Sequence, residues 1–250
     1  MAFINGIELI PWLVTALVLF LGCCVQAALG FGMAIIAAPV VMLVAPHSVP
    51  YALTSTALLV SLLTAWDQRR AIRWQVMIPA MVSRIPGTVI GAWVLLTISV
   101  MWLHLFVSLA VLVAVLISLM PLRFDATPKR LAWAGFVSGF MGTTTSIGGP
   151  PMALVMQFGA PVQVRASLSM YFAFACVVSL FSYAAVGLFS MPLLWQCLSF
   201  MPMALLGFFC GKRLQGWVDH GRFRILLLTL CFIASAIALG GVVMTFVNHS

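Results

Sequence analysis

Arg84 is the residue whose type and position most directly suggest chemistry, because it interrupts an apolar run over residues 74–96. It follows Trp74 by ten residues, which in a helix is a rise of about 15 Å. A cation near the centre of a bilayer costs at least ~2.5 kcal/mol on insertion scales. A guanidinium at that depth suits a small oxyanion, to which it can donate two parallel hydrogen bonds. Arg84 therefore predicts an anion-binding site inside a membrane.

The acidic residues of the sequence are poorly placed to neutralise this cation. The chain has four of them, all near the ends of apolar runs. They are Glu8, Asp67, Asp125 and Asp219. In the alternative interpretation Arg84 is structural, and its guanidinium binds backbone carbonyls freed around Pro86 or reaches water through a defect in the bilayer. The sequence leaves that role open beside the anion-binding one.

Two glycine-rich segments add hydrogen-bond donors of the kind that an anion site needs. The first is Gly30-Phe31-Gly32, and the second extends over residues 142–151 as GTTTSIGGPP. Glycine and proline weaken or stop a helix, and unwound backbone at membrane depth is tolerated where it lines a cavity or is buried in protein. Helices that begin at Gly32 and Gly149 would direct free N–H groups and positive dipole ends into such a cavity.

Arg84 and the two breaks together define the predicted anion site. Hydroxyl donors extend from Thr143 to Ser146 at the second break, and Gln26 lies one helical turn before the first. The candidate substrate-binding residues are Arg84, Gln26, Gly30, Phe31, Gly32, Thr143, Thr144, Thr145, Ser146, Gly148 and Gly149. Alternatively, the glycines and threonines only let helices pack closely and hydrogen-bond across their interfaces.

The elements that must position these residues are membrane-spanning helices. Hydrophobic residues make up 64% of the 250-residue chain and charged residues 6%, against about 25% charged residues in soluble domains. Most of the apolar runs approach or exceed the ~20 residues of helix that cross a bilayer. They extend over residues 10–45, 50–66, 74–96, 100–120, 131–160, 163–188, 191–211 and 223–247. The sequence thus predicts an all-α integral membrane protein.

Positive charge predicts how the chain crosses the membrane. The runs at residues 10–45 and 131–160 are too long for one crossing of a ~30 Å hydrocarbon core, and each contains a glycine-rich break. If each goes in and returns as a broken-helix hairpin, eleven of the twelve Lys and Arg residues fall on one side; if each crosses once, these eleven divide six against five. Because cytoplasmic loops collect Lys and Arg, we expect hairpins, cytoplasmic basic loops and periplasmic termini.

This topology divides the chain into two halves, residues 1–121 and 122–250, each with one hairpin followed by three crossings. Three is an odd number, so the second half is inverted in the membrane relative to the first. Weak internal similarity supports the repeat. The matching positions are Pro86 with Pro202, Gly91 with Gly207, and Gly30–Gly32 with Ser146–Gly148. Inverted-topology repeats with broken helices are typical of secondary transporters, whose substrates bind near the midplane.

Signatures of other ligands and of enzymatic chemistry are weak or missing in the sequence. It has no phosphate-binding GxxxxGK[ST] loop, and its six cysteines show neither CxxC nor Cys/His ligand spacing. We therefore expect no cofactor, no metal and no enzyme activity. The net charge of +8 resides in short loops, so we expect no nucleic acid as a partner. The expected partners are a small anion and the lipid bilayer, and a homodimer is one option for the oligomeric state.

The paired breaks and the two runs with matching proline and glycine resemble the sulfite exporter TauE/SafE family. The segments that carry the resemblance are Gly30-Phe31-Gly32 with Pro39, Gly139-Phe140-Met141-Gly142 through Gly148-Gly149-Pro150, and the Pro86/Gly91 and Pro202/Gly207 runs. One departure is Met33, which stands where the family pattern has a further glycine and leaves the substrate open. The resemblance implies a bacterial inner-membrane permease for sulfite, sulfoacetate or related organosulfonates.

Two other functions fit parts of the sequence. An anion channel would have the same site without an occluded state, and saturation of the flux would separate it from a transporter. A membrane thiol oxidoreductase could use the adjacent Cys23 and Cys24, although the other half of the sequence has no second cysteine pair. The prediction is an alternating-access transporter, whose direction and coupling the sequence does not reveal.

Overall fold

The computed structural model describes residues 3–4, 7–44, 49–97, 125–145, 148–185 and 191–219, with isolated residues between 222 and 240. A short antiparallel ribbon pairs β1 (Phe3–Ile4) with β2 (Ile7–Glu8). The other main elements of the described chain are helices. They are α1 (Leu9–Leu29), α2 (Met33–Val44), α3 (Val49–Asp67), α4 (Trp74–Thr97), α5 (Pro128–Thr145), α6 (Gly149–Met156), α7 (Pro161–Ala185) and α8 (Met191–Asp219).

The helices have the apolar surfaces that a bilayer requires. Within the described ranges, three segments are long and apolar enough to cross a membrane. They are Leu9–Leu29, Pro161–Phe181 and Leu194–Asp219. On α1, the exposed residues Leu13, Leu17 and Leu21 recur every four residues and form an apolar stripe along one face. The predicted crossing at 100–120 and most of that at 223–247 lie outside the described residues.

The first glycine-rich segment breaks the helix where the sequence predicts. α1 ends at Leu29 and α2 begins at Met33, so the three residues between them form the break. Gly30 has a φ angle of +88° and Gly32 one of +110°, values that residues with a Cβ atom rarely adopt. Glycine is therefore needed at both positions for the chain to leave α1 and start α2.

The second segment also interrupts the helix, and it does so next to two prolines. α5 ends at Thr145 and α6 begins at Gly149, the predicted start. Pro150 lies in the first turn of α6, where its missing N–H costs no helical hydrogen bond. Residues 146–147 lie outside the described part of the chain.

The chain forms two compact units, and each takes helices from both predicted halves. Unit 1 comprises Met1–Ile72 and Pro161–His220, and unit 2 comprises Arg73–Ala160 and Gly221–Ser250. Unit 1 therefore holds α1, α2, α3, α7 and α8, whereas α4, α5 and α6 belong to unit 2. The boundary between the predicted halves, at residues 121 and 122, lies outside the described residues.

In unit 1, α1 runs parallel to α8. Near the start of the two helices, Trp12 Nε1 donates to Ser199 Oγ at 3.1 Å. Near their ends, Gln215 Nε2 donates to the carbonyl oxygen of Ala27 at 2.9 Å. Both pairs join residues at corresponding heights, so the two helices point the same way.

The helix α3 has the same direction as α8, and therefore as α1. Ser55 and Cys197 lie next to each other near the starts of these helices, and Gln68 Nε2 donates to Gln215 Oε1 at 2.8 Å just beyond the end of α3. A single crossing by residues 10–45 would have made α1 and α3 antiparallel. Their parallel arrangement agrees with a chain that returns through α2.

Close helix contacts in unit 1 depend on small residues. A Cβ atom at Gly207 would lie 2.6 Å from Cys23 Cβ and 2.8 Å from the carbonyl oxygen of Phe20. Gly211, one turn later, approaches α1 at Cys24 and Ala27 in the same way. This small-xxx-small spacing lets membrane helices approach to backbone contact. The apolar core beneath it joins α1, α2, α3 and α8.

In unit 2, α4 packs against α5 through two facing glycine pairs. Gly87 and Gly91 on α4 approach the backbone of α5, while Gly135 and Gly139 on α5 approach the backbone of α4. The contacts advance together along both helices, so α4 and α5 are parallel. Ser83 Oγ adds a hydrogen bond across the interface to the carbonyl oxygen of Ala132 at 2.6 Å.

Candidate functional site

Arg84 lies against the second break in unit 2. Only 7% of this residue is exposed, and its Nη1 donates to Ser138 Oγ at 3.2 Å. The same hydroxyl donates to the carbonyl oxygen of Gly148, inside the break. Ser138 therefore links the guanidinium of α4 to the residue that precedes α6.

Glycines make room for the guanidinium at this place. A Cβ atom at Gly142 would lie 3.1 Å from Arg84 Nη2, and one at Gly139 would lie 3.1 Å from Arg84 Cγ. Gly148 approaches Gly142 and Ser138 closely enough that a Cβ atom there would lie 2.7 Å from the Ser138 carbonyl oxygen. The glycines that the sequence identifies at the second break thus bring backbone, guanidinium and hydroxyl together.

Of the threonines after Gly142, only Thr143 has a side chain that the structure describes. Thr143 lies in the last turn of α5, and its hydroxyl donates to the carbonyl oxygen of Gly139 at 2.9 Å. That hydrogen is used within the helix, so in this geometry the Thr143 hydroxyl can only accept. Thr144 and Thr145 end α5, but their side chains are outside the described part of the structure, as is Ser146 altogether.

Thr88 is a further polar residue on the face of α4 that carries Arg84. It lies one turn later, and its hydroxyl oxygen is buried with no hydrogen-bond partner among the described residues. Residues four apart on a helix share a face, and the Thr88 backbone also faces Gly139. Neither Thr88 nor Ser138 is predicted from the sequence, because isolated hydroxyl residues in apolar helices usually serve packing.

The predicted residues of the first break lie in unit 1. Gln26 is buried, and its Nε2 donates to Ser61 Oγ at 2.7 Å and to the carbonyl oxygen of Ala57 at 3.1 Å. These bonds hold α1 to α3. Gly30, Phe31 and Gly32 are buried as well, and they connect α1 to α2. The structure therefore groups the candidate residues into two sets, one at each break.

The model of the sulfite exporter TauE/SafE family matches residues 14–239, which is most of the chain. The chain belongs to the sulfite exporter TauE/SafE family. The resemblance expected from the paired breaks is thereby confirmed. No curated protein and no solved structure matches the chain.

Membership in the TauE/SafE family, together with the apolar helices, makes the chain a multi-pass membrane transport protein. The family is one of permeases rather than of enzymes.

Arg165 is the residue of this TauE/SafE protein whose burial and partners are hardest to predict from the sequence. The sequence places it in or next to a loop, and the structure shows it fully buried near the start of α7. Its Nε donates to the carbonyl oxygen of Ala28 at 2.7 Å, and its Nη2 forms an ion pair with Asp219. Its position next to a loop is as expected, but the sequence gives no sign of this partner, which lies more than fifty residues away along the chain.

Together with Gln215, Arg165 caps the end of α1 at the first break. The last carbonyl groups of a helix have no intrahelical partners. Here the carbonyl oxygen of Ala27 accepts a hydrogen bond from Gln215, and that of Ala28 accepts one from Arg165. A cation at a helix C-terminus also complements the negative end of the dipole. A Cβ atom at Gly30 would lie 2.7 Å from the Arg165 carbonyl oxygen, so this arginine touches the break by backbone and side chain.

Proposed function

We propose that this protein is a secondary transporter that moves a small sulfur-containing oxyanion, such as sulfite or an organosulfonate like sulfoacetate, across the bacterial inner membrane. The observation that carries the proposal is the buried guanidinium of Arg84 beside the second break. Family membership supplies the class of substrate, and Arg84 supplies a group that can hold it.

The chemistry around Arg84 fits an oxyanion with several acceptor oxygens. The guanidinium can donate paired hydrogen bonds to two of them, and the hydroxyls of Ser138 and Thr88 can add others. In the first turn of α6 the N–H groups of Gly149 and Met152 provide positive potential beside Gly148, whereas Pro150 and Pro151 have no N–H to donate. In a low dielectric these interactions are stronger than in water. We assign these residues to the anion site.

The predicted residues of the first break remain part of the proposal. Gly30, Phe31 and Gly32 would present the start of α2 to the substrate path, with Gln26 holding α1 against α3. Broken helices of this kind line the substrate sites of transporters. The four residues therefore shape the path, and Arg84 is the group that we expect to bind the charge.

The inverted repeat is supported by how the helices pair. In unit 1 the first helix of one hairpin, α1, lies parallel to α8, which carries Pro202 and Gly207. In unit 2 the first helix of the other hairpin, α5, lies parallel to α4, which carries the matching Pro86 and Gly91. Each hairpin thus packs on the equivalent helix of the other half. α8 ends in a basic segment and the end of α1 lies against Arg165, whereas α4 and α5 follow basic segments, as inverted halves require.

We further propose that the basic loops are cytoplasmic and both termini periplasmic. At one end of unit 1 lie the C-termini of α3 and α8 and the start of α7, which bring together five cations. They are Arg69, Arg70, Arg165, Lys212 and Arg213. A negative cell interior favours anion export by about 2.3 kcal/mol per charge per 100 mV, whichever way the protein is oriented. Uniport or exchange with another anion therefore suffices for export.

The test is thermal stabilisation of the purified protein by a panel of anions. A ligand that binds only the folded protein raises its melting temperature by mass action. We expect sulfite or a sulfonate to stabilise the wild type, Arg84→Ala to lose the response, and Arg84→Lys to retain a weaker one. Arg130→Ala is the matched control, because Arg130 is an exposed cation at the start of α5 in the same unit.

Transport in vesicles separates the mechanisms. A saturable flux of the stabilising anion supports a transporter, and a flux that rises linearly with concentration indicates a channel. Equal stabilisation of wild type and Arg84→Ala would show that Arg84 is structural. Activity that survives Cys23→Ser/Cys24→Ser removes the thiol chemistry as an explanation.

A further inference from the structure

A basic cavity lies at the end of unit 1 where α3 stops and α7 starts. It has a volume of about 390 Å³ and is lined by Asp67, Gln68, Arg69, Arg70, Ala71 and Val162. Ligand pockets commonly occupy ~300–1,000 Å³, so a small headgroup fits. Asp67 is already paired with Lys212 at 2.5 Å, and the two arginines set the charge of the cavity.

The surface of α3 beside this cavity changes from apolar to basic over two helical turns. Leu62 is exposed, and Trp66, one turn later, is 71% exposed. The 3₁₀ turn that follows, Arg69–Ala71, carries the exposed arginines. Tryptophan collects at the level of lipid headgroups. The order of these residues therefore matches the parts of a lipid: Leu62 lies at the level of the acyl chains, Trp66 at the interface, and the arginines at the level of the phosphate.

Arg69 is held in place for this role. Its guanidinium carbon lies 4.9 Å from the centroid of the Trp66 ring, within the range of a cation–π interaction. Its Nη1 also donates to the carbonyl oxygen of Trp66 at 3.2 Å. A group ordered before binding loses less entropy when it binds, and a guanidinium has five N–H donors, so donors remain for a phosphate.

We propose that this cavity binds the phosphodiester headgroup of an anionic phospholipid, with its acyl chains along the exposed apolar face of α3. A free phosphate shares the chemistry of the headgroup, but it would gain nothing from Leu62 and Trp66. The site uses none of the residues assigned to transport. Arginine pockets at the bilayer surface bind such headgroups in other membrane proteins.

Native mass spectrometry of the delipidated full chain in detergent tests the proposal. Phosphatidylglycerol and phosphatidylcholine with the same acyl chains are titrated separately. The wild type should bind phosphatidylglycerol at least tenfold more tightly, and Arg69→Gln/Arg70→Gln should bind both lipids alike. The matched control is Lys129→Gln/Arg130→Gln, which removes two exposed cations at the start of α5 and should keep the preference.

Two results would overturn the proposal. If the Lys129/Arg130 control loses the preference as fully as the Arg69/Arg70 variant, the lipid responds to overall charge and not to this cavity. If glycerol phosphate displaces the lipid at similar concentration, the site is one for soluble phosphates. Should the double variant not fold, Arg70→Gln alone carries the test, with a several-fold loss expected. A further several-fold loss in Leu62→Ser, with Trp66 and both arginines present, would support the acyl-chain path.

Discussion

The two broken helices look alike in sequence but are built differently. At the first break, in unit 1, Arg165 is bound to Asp219 and to the carbonyl oxygen of Ala28. At the second break, in unit 2, Arg84 donates to the hydroxyl of Ser138. Arg165 is thus paired with a carboxylate and with the C-terminal end of a helix, whereas Arg84 donates to a neutral hydroxyl.

This difference indicates different uses for the two arginines. A cation whose charge is balanced by a carboxylate and by a helix C-terminus holds structure. Arg84 donates to a hydroxyl that itself contacts the residue before a helix N-terminus, and a cation in that setting favours a transient anion. We therefore regard the first break as an anchor and the second as the binding element. Stability and affinity should respond separately when the two are changed.

The largest effect should follow from Arg165→Ala. The substitution leaves Asp219 without its partner and the carbonyl oxygen of Ala28 without its donor. Removal of one member of a buried ion pair costs about 3–5 kcal/mol, and we expect about 3 kcal/mol because Asp219 is partly exposed. The melting temperature in detergent should fall strongly.

Asp219→Asn is the companion variant, because it retains the bond from Arg165 to α1 and should cost less. For the folded fraction of Arg165→Ala, the shift in melting temperature caused by saturating sulfite should match that of the wild type. An unchanged melting temperature with a lost sulfite response would reverse the roles of the two breaks.

Much of this comparison could be anticipated from the sequence. Glycine spacing locates both breaks, because Gly30 and Gly32 are needed for left-handed backbone and Gly149 begins α6. The positions of Lys and Arg predict that the first long run enters the membrane and returns to the same side. The parallel arrangement of α1 and α3 supports that prediction. These features are local, so a pattern within one segment contains them.

Contacts between distant segments could not be anticipated in the same way. Arg165 lies two residues inside an apolar run, and only the structure shows that Asp219 and Ala28 meet it there. Ser138 is indistinguishable in sequence from a serine that serves helix packing. The composition of the two units depends on which helices pair, and a hydropathy pattern gives their lengths but not their partners.

A smaller effect, on affinity rather than stability, should follow from Ser138→Ala. The substitution removes the hydroxyl that accepts a hydrogen bond from Arg84 and donates one to the carbonyl oxygen of Gly148. The guanidinium therefore loses its fixed orientation. A hydrogen bond to a charged group contributes about 1.5–3 kcal/mol, and we expect sulfite to bind about tenfold more weakly. Calorimetric titration of the purified variant measures this.

Ser83→Ala provides the matched control for Ser138→Ala. Ser83 also bridges α4 and α5, through the carbonyl oxygen of Ala132 at 2.6 Å, but it does not contact the break. It should lower stability without weakening binding. Equal losses of affinity in both serine variants would mean that helix packing, and not the orientation of Arg84, controls the site.

The smallest effect should come from the ion pair between Asp67 and Lys212. It lies near the same end of unit 1 as Arg165 and Asp219, but both of its side chains are about one-third to one-half exposed. Exposed ion pairs contribute ~0–1 kcal/mol and are screened by salt. A double-mutant cycle with Asp67→Asn and Lys212→Gln should give a coupling of about 0.5 kcal/mol that declines as salt rises. A coupling as large as that of Arg165 with Asp219 would show that burial does not separate the two pairs, and the case for Arg165 as the specific anchor of the first break would fail.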